Sequence, residues 1–165
     1  MVNVVFVVGE LCSGKTTKAV LDGRSSGDRF QVIEIGDKVR MLLKSQVRKH
    51  NKAITKELVA ELVNEVLTLD VSIQTVYLVG PREIKVVTGV SEELSALDYQ
   101  VGFILLEESK EILWERFLNR EDPKDNFKSA EFQSEVKKRE MFERYLKMDN
   151  TLGLSKLIEF IKKTK

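Results

Sequence analysis

The chain has 165 residues, enough for one domain with a single substantial core. Its composition, 42% hydrophobic and 32% charged, is that of a globular protein and excludes the disordered and fibrous classes. Twenty-seven basic residues stand against 26 acidic ones, and a formal charge of +1 argues against the broad basic footprint of a polynucleotide binder.

The first apolar run, Val2 with Val4 to Val8, is mostly β-branched and nearly continuous, which predicts a central parallel strand covered on both faces. The run is too short to cross a membrane and lacks the basic leader and small-residue cleavage site of a secretory signal. Gly9 and Gly14 bracket a turn, and a helix is expected from Lys15 to Leu21. Phe30 to Ile35 is a second strand. Asp37 to Lys49 reads as a helix with Val39, Leu42, Leu43 and Val47 at helical spacing, and Asp37 is its expected N-cap.

Thr55 is the expected cap of the next helix, which carries Leu58, Leu62, Val63, Val66 and Leu67. Ile73 to Val79 is a third strand, stopped by Gly80 and Pro81, and Tyr99 to Leu106 is a fourth. Between them Ser91 is expected to cap a short helical turn, with Glu92 and Glu93 at its positive end. Ser109 caps the helix of Ile112, Leu113, Trp114, Phe117 and Leu118, whose aromatic residues read as core. Residues 121–128 form a polar, proline-containing loop. Helices follow at about Ala130 to Leu146 and Leu154 to Ile161, and Met148 to Gly153 is too polar for a convincing fifth strand. The alternation of strands and helices specifies an α/β domain with a parallel sheet.

The segment after the first strand, GELCSGKT, meets the pattern G-x-x-x-x-G-K-[ST] with Gly9, Gly14, Lys15 and Thr16. Glycines let the backbone curl so that successive N–H groups converge on phosphate oxygens, and the following helix adds its free amides and positive dipole end. A strand before the pattern and a helix after it are the context that distinguishes a phosphate loop from a chance glycine turn. The ligand expected is ATP, held by Gly9, Glu10, Leu11, Cys12, Ser13, Gly14, Lys15, Thr16 and Thr17. Lys15 reaches the β- and γ-phosphates, and the Thr16 hydroxyl is the protein ligand for Mg²⁺. Cys12 is read as a position whose backbone matters. As the only cysteine it can form no intrachain disulfide, which agrees with a reducing cytoplasm.

The order GELCSGKTT, IEIGDKVR, ITKELVAELV, VYLVGPRE and NREDPKDNFKSAEF resembles the nucleoside monophosphate kinases of the adenylate kinase type, closest in form to compact phage and archaeal enzymes. The likeness spans about residues 2 to 145. It implies a three-layer phosphate-loop fold as one domain over 1–165, with 37–68 as a helical monophosphate-binding insert and 121–130 as a short lid. It also implies phosphoryl transfer from ATP to a nucleoside or deoxynucleoside monophosphate, with Asp37, Arg40 and Arg82 at the acceptor. Lys15, Arg82, Arg120 and Arg139 would surround the transferring group, as rigid bidentate guanidinium forks suit phosphate. Two positions depart from the family. Val79 stands where many relatives carry a strand-end aspartate that orders Mg²⁺, and KVVTGV, a few residues after the proline-arginine pair, lacks the glutamine that adenine-selecting relatives often carry.

Two rival readings remain open at this point. One keeps the kinase class but changes the acceptor to another small metabolite or a polynucleotide 5′ end, the latter disfavoured by the balanced charge. The other is a nucleotide-binding regulatory module without turnover. With one histidine, His50, expected at an exposed helix end, and one cysteine, no zinc constellation can be built. Nothing in the sequence sets an oligomeric state.

Overall fold

A computed structural model describes residues 1–46, 52–120 and 134–164. In chain order the elements are β1 (Asn3–Gly9), α1 (Lys15–Ser26), β2 (Phe30–Glu34), α2 (Ile35–Gln46) and α3 (Lys52–Leu67). They continue with β3 (Thr75–Val79), α4 (Ile84–Ser95), β4 (Gln100–Leu106), α5 (Lys110–Leu118), α6 (Glu135–Leu152) and α7 (Leu154–Thr164). The four strands form one parallel sheet in the order β2-β3-β1-β4.

β1 pairs on both sides, with β3 from Asn3↔Thr75 and with β4 from Asn3↔Gln100. This placement explains its apolar run, because a central parallel strand must be covered on both faces. Val4, Phe6 and Val8 face the principal core with Leu58 and Leu62 of α3, Val86, Val87, Val90 and Leu94 of α4, and Leu154, Leu157 and Ile161 of α7. Val7 faces the other way, with Tyr77, Val79 and Ala19 of α1. Helices thus lie on both faces of a small sheet, the α/β layering expected. A third cluster joins Leu113 and Phe117 of α5 to Phe142 and Leu146 of α6.

Several boundaries differ from the sequence reading. The chain passes from Glu34 directly into α2 at Ile35, so Asp37 lies inside the first turn and is not the N-cap. Thr55 is also inside its helix, since α3 begins at Lys52. Its buried hydroxyl sits 3.2 Å from Glu83 Oε2. Ser91 belongs to the body of α4, which starts at Ile84 right after the Gly80–Glu83 turn. Burial of Val86, Val87 and Val90 overrides the weak helix propensity of β-branched residues there. Ser109 caps α5 as expected, its hydroxyl accepting from the Ile112 amide at 3.3 Å. Leu67 is exposed and does not join the α3 core face.

Met148 to Leu152 forms the last turn of α6, and no fifth strand exists among the described residues. Gly153 closes α6 with φ 107°, a left-handed conformation that glycine adopts without a Cβ penalty. α7 begins at the next residue. The lid expected at 121–130 and His50 lie outside the described residues.

α7 is anchored in the core by Leu154, Leu157 and Ile161, so loss of that stripe should show in stability. Leu157 is fully buried, and Leu157→Ala is expected to cost about 2–5 kcal/mol by chemical denaturation.

Candidate phosphate-binding site

The strands end on the same edge of the sheet, at Gly9 and Leu106 and, level with Val7, at Val79 and Glu34. The connection from β1 runs over the α1 face and that from β3 over the α4 face. The crevice beside β1 is therefore a switch point, where open parallel sheets bind ligands. Gly9 is required by contact: a Cβ would lie 2.4 Å from Ser13 Oγ and 2.9 Å from the Leu106 carbonyl oxygen. Cys12 at φ 62° and Gly14 at φ 89° are both left-handed, and the Ser13 amide donates to the Glu10 carbonyl at 3.1 Å to close the curl. Successive amides in such a turn line an anion-binding concavity.

Gly14 caps α1 without a side-chain hydrogen bond, and Lys18 N–H donates to the Gly14 carbonyl at 2.9 Å. The amides of Lys15, Thr16 and Thr17 precede that bond and have no intrahelical acceptor. All three residues line a cavity of about 400 Å³ at the loop. That volume is within the range of small-ligand sites. Ser13 Oγ is buried with no hydrogen-bond partner among the described residues and does not line the cavity. The open amides of Lys15, Thr16 and Thr17 suit an anion.

The cavity is cationic. Lys15, Arg40, Arg82, Arg116 and Arg120 line it, against two carboxylates, Glu34 and Asp149. Lys15 Nζ donates to the Glu10 carbonyl at 2.8 Å. Burial lowers its pKa from 10.5 to about 8, Asp149 works in the opposite direction, and the Arg82 charge lowers it further. Arg82 Nε meets Asp149 Oδ1 at 2.6 Å. Burial raises the Asp149 carboxyl, opposed by Arg82 and Lys15. Thr16 Oγ1 donates to Glu34 Oε1 at 2.5 Å.

Of the arginines named from sequence, Arg40, Arg82 and Arg120 line the cavity. Arg40 is mostly exposed and pairs with Asp37, which is itself not in the cavity wall. Arg120 Nη1 lies 3.7 Å from Cys12 Sγ. Arg139 is not brought to the cavity: it stacks over Trp114, 4.8 Å from the ring centroid, and pairs with Glu143 at 3.0 Å. Trp114 and Phe117 are stacked in the α5–α6 cluster, so the aromatic stripe is structural.

Three site residues escaped the sequence reading. Arg116 stands one helical turn before Arg120, and its Nη1 donates to the Cys12 carbonyl at 3.2 Å. The i, i+4 spacing of the two arginines was the available signal. Glu34, the last residue of β2, could have been found as an acid at a strand end. Asp149 had no local signal, because its place depends on how α7 docks.

Thr16 and Glu34 are hard oxygen donors at the loop, which fits Mg²⁺, an ion usually held by one or two protein oxygens together with phosphates and waters. No group of three or more His, Cys, Asp or Glu side chains suited to a metal occurs among the described residues. A site dependent on ligand phosphates needs none. No helix among the described residues is long and apolar enough to cross a membrane.

No protein-family pattern and no curated protein matches the chain. Among solved structures it is similar to a sugar kinase from Janibacter sp. HTCC2649, with a TM-score of 0.55 and 18% identity over 88% of this chain and 78% of that one. A gluconokinase from Sinorhizobium meliloti 1021 gives a TM-score of 0.49 and 17% identity over 99% of this chain and 97% of that one. The first likeness establishes the fold, a small parallel sheet flanked by helices.

The Lys15 environment has a titration consequence. Charging this lysine is penalised in the folded chain below about pH 8, and the penalty fades as pH rises toward 10.5. A bound polyphosphate favours the ammonium, so binding above about pH 8 takes up a proton. Triphosphate affinity is expected to fall between about pH 8 and 10, by up to about tenfold per unit. Calorimetry in buffers of different ionisation heat reads the uptake, and Lys15→Met should remove it. A flat wild-type profile would contradict the assignment.

Proposed function

We propose that this chain transfers the γ-phosphoryl group of ATP to the phosphate of a nucleoside or deoxynucleoside monophosphate, giving ADP and a diphosphate. The observation that carries this reading is the sharing of one cavity by the phosphate loop, Lys15, and the guanidinium groups of Arg40 and Arg82. The loop accounts for the donor. Two further arginines from other elements suit an acceptor that is itself an anion, because a guanidinium fork binds phosphate oxygens bidentately.

The chemistry asks little covalent help of the protein. An acceptor phosphate oxygen is already ionised, attacks the γ-phosphorus in line, and displaces ADP, so no general base is required. The loop amides and Lys15 hold the donor phosphates. Arg82, Arg116 and Arg120 offer positive charge to the equatorial oxygens, and fixed charges of this kind need no reorganisation as the reaction proceeds. Arg116 takes the place the sequence reading gave to Arg139. Mg²⁺, when bound, neutralises β- and γ-oxygens, and Thr16 with Glu34 would hold it in place of an acid at Val79.

An apolar slot adjoins the cavity through Gly36, Gly80 and Arg82, and is walled by Val39, Leu58 and Val86. Its volume is about 30 Å³, well below that of a site for a nucleobase-sized group. The Glu83 carboxylate lines the slot and accepts from the Thr55 hydroxyl.

A second reading, transfer to a hydroxyl of a small anionic metabolite, draws on Glu34, whose carboxylate lines the cavity and can accept a hydroxyl proton. The sugar-kinase neighbour shares the fold required. A panel of ribo- and deoxyribonucleoside monophosphates, with gluconate and hexoses beside them, separates the readings when ATP and Mg²⁺ are supplied and products are resolved. Diphosphate from one monophosphate is the expected result. A phosphorylated sugar acid alone would favour the second reading, and tight nucleotide binding with no product would favour a module without turnover. Lys15→Met is expected to lower transfer by at least about a hundredfold while circular dichroism stays unchanged.

A further inference from the structure

Asp149 is the one buried carboxylate in the cavity wall, and the chemistry above does not use it. Its side chain is 10% exposed, while that of Arg82 is 41% exposed. The carboxylate meets the guanidinium at Nε, at 2.6 Å. No other hydrogen bond or ion pair of Arg82 forms among the described residues, and its half-exposed side chain lines the cavity. Lys15 stands near enough for the charges of both Arg82 and Asp149 to act on its ammonium.

The backbone holds this arrangement from two sides. Arg82 follows β3 in the turn before α4, whose start is fixed by the buried Val86 and Val87. Asp149 sits in the last full turn of α6, where its carbonyl and that of Asn150 accept the Gly153 amide. A Cβ on Gly153 would lie 3.6 Å from the Arg82 carbonyl oxygen, so the end of α6 runs close to the Arg82 backbone. Leu154, Leu157 and Ile161 then anchor α7 in the core and fix that contact.

We infer that Asp149 is a positioning residue. It grips Arg82 by Nε, turns the remaining guanidinium nitrogens toward the transferring phosphate, and relieves the repulsion between Arg82 and Lys15 before a ligand arrives. This role rests on the phosphoryl-transfer reading for its benefit to turnover, but the charge coupling itself does not. A buried carboxylate tolerates its position only while paired, and removing its partner leaves an uncompensated charge that is strongly destabilising. Without Arg82 the Asp149 charge would face Lys15 and the incoming phosphates alone. The effect of neutralising Asp149 must therefore depend on whether Arg82 is present.

The test is a double-mutant cycle on the full chain with Arg82→Met, Asp149→Asn and the double variant. Binding of inorganic tripolyphosphate is measured by calorimetry and folding is checked by thermal melting. Arg82→Met is expected to weaken binding by more than about tenfold, and adding Asp149→Asn to recover part of the loss. The gain from Asp149→Asn should be at least about fivefold larger in the Arg82→Met background than in the wild type. Equal effects in the two backgrounds would overturn the inference, as a merely structural carboxylate acts independently of Arg82. Arg82→Gln replaces Arg82→Met if the latter does not fold. Turnover supplies the second readout: Asp149→Asn should lower kcat at least about fivefold with the ATP dissociation constant within about threefold of wild type. Absence of wild-type turnover with every acceptor would sink the kinase reading and leave the binding cycle to decide the role of Asp149.

Discussion

The site depends first on the burial of β1. A strand hydrogen-bonded on both edges and covered on both faces cannot shift without exposing Val4, Phe6, Val7 and Val8 together. The chain leaves it at Gly9 with a fixed position and direction, and contact with Ser13 and Leu106 leaves no room there for a Cβ. The curl, the left-handed Cys12 and Gly14, and the open start of α1 all follow from that exit. A loop of the same sequence on a mobile strand would present its amides to no fixed point.

Charge organises the rest of the cavity. Clustered cations repel one another when no phosphate is present, and the protein answers with specific acceptors. Lys15 turns to a loop carbonyl, Arg116 to the Cys12 carbonyl and Glu108, Arg40 to Asp37, and Arg82 to Asp149. Each acceptor keeps a cation near the phosphate position without supplying a phosphate. The two more exposed ion pairs, Arg40 with Asp37 and Arg116 with Glu108, contribute little to stability in water. Their value lies in orientation.

The fold class and the tight turn between β1 and α1 were legible because each rests on local patterns: a β-branched strand, glycines at set spacing, and a lysine opening a helix. Helix starts were less legible. Asp37, Thr55 and Ser91 are good caps by residue type, yet α2, α3 and α4 each begin earlier, where burial of Ile35, Ile54 and Val86 extends the helix past the polar residue. Arg139 lay in a basic run that gives no facing direction. Only the packing of α6 on α5 turns it onto Trp114. Asp149 was illegible for the same reason, since the charges it faces, Arg82 and Lys15, come from the turn after β3 and the start of α1 and not from its own helix.

The parallel order of the sheet also governs when the site comes into being. The strand carrying the loop is synthesised first, but its partners begin only at Thr75 and Gln100. Loop closure over such distances is entropically costly and slows folding. Until then the Val4–Val8 run is an unpaired apolar segment, and the glycine loop after it has no fixed geometry. Any ligand of that loop can stabilise only chains that have already closed the sheet.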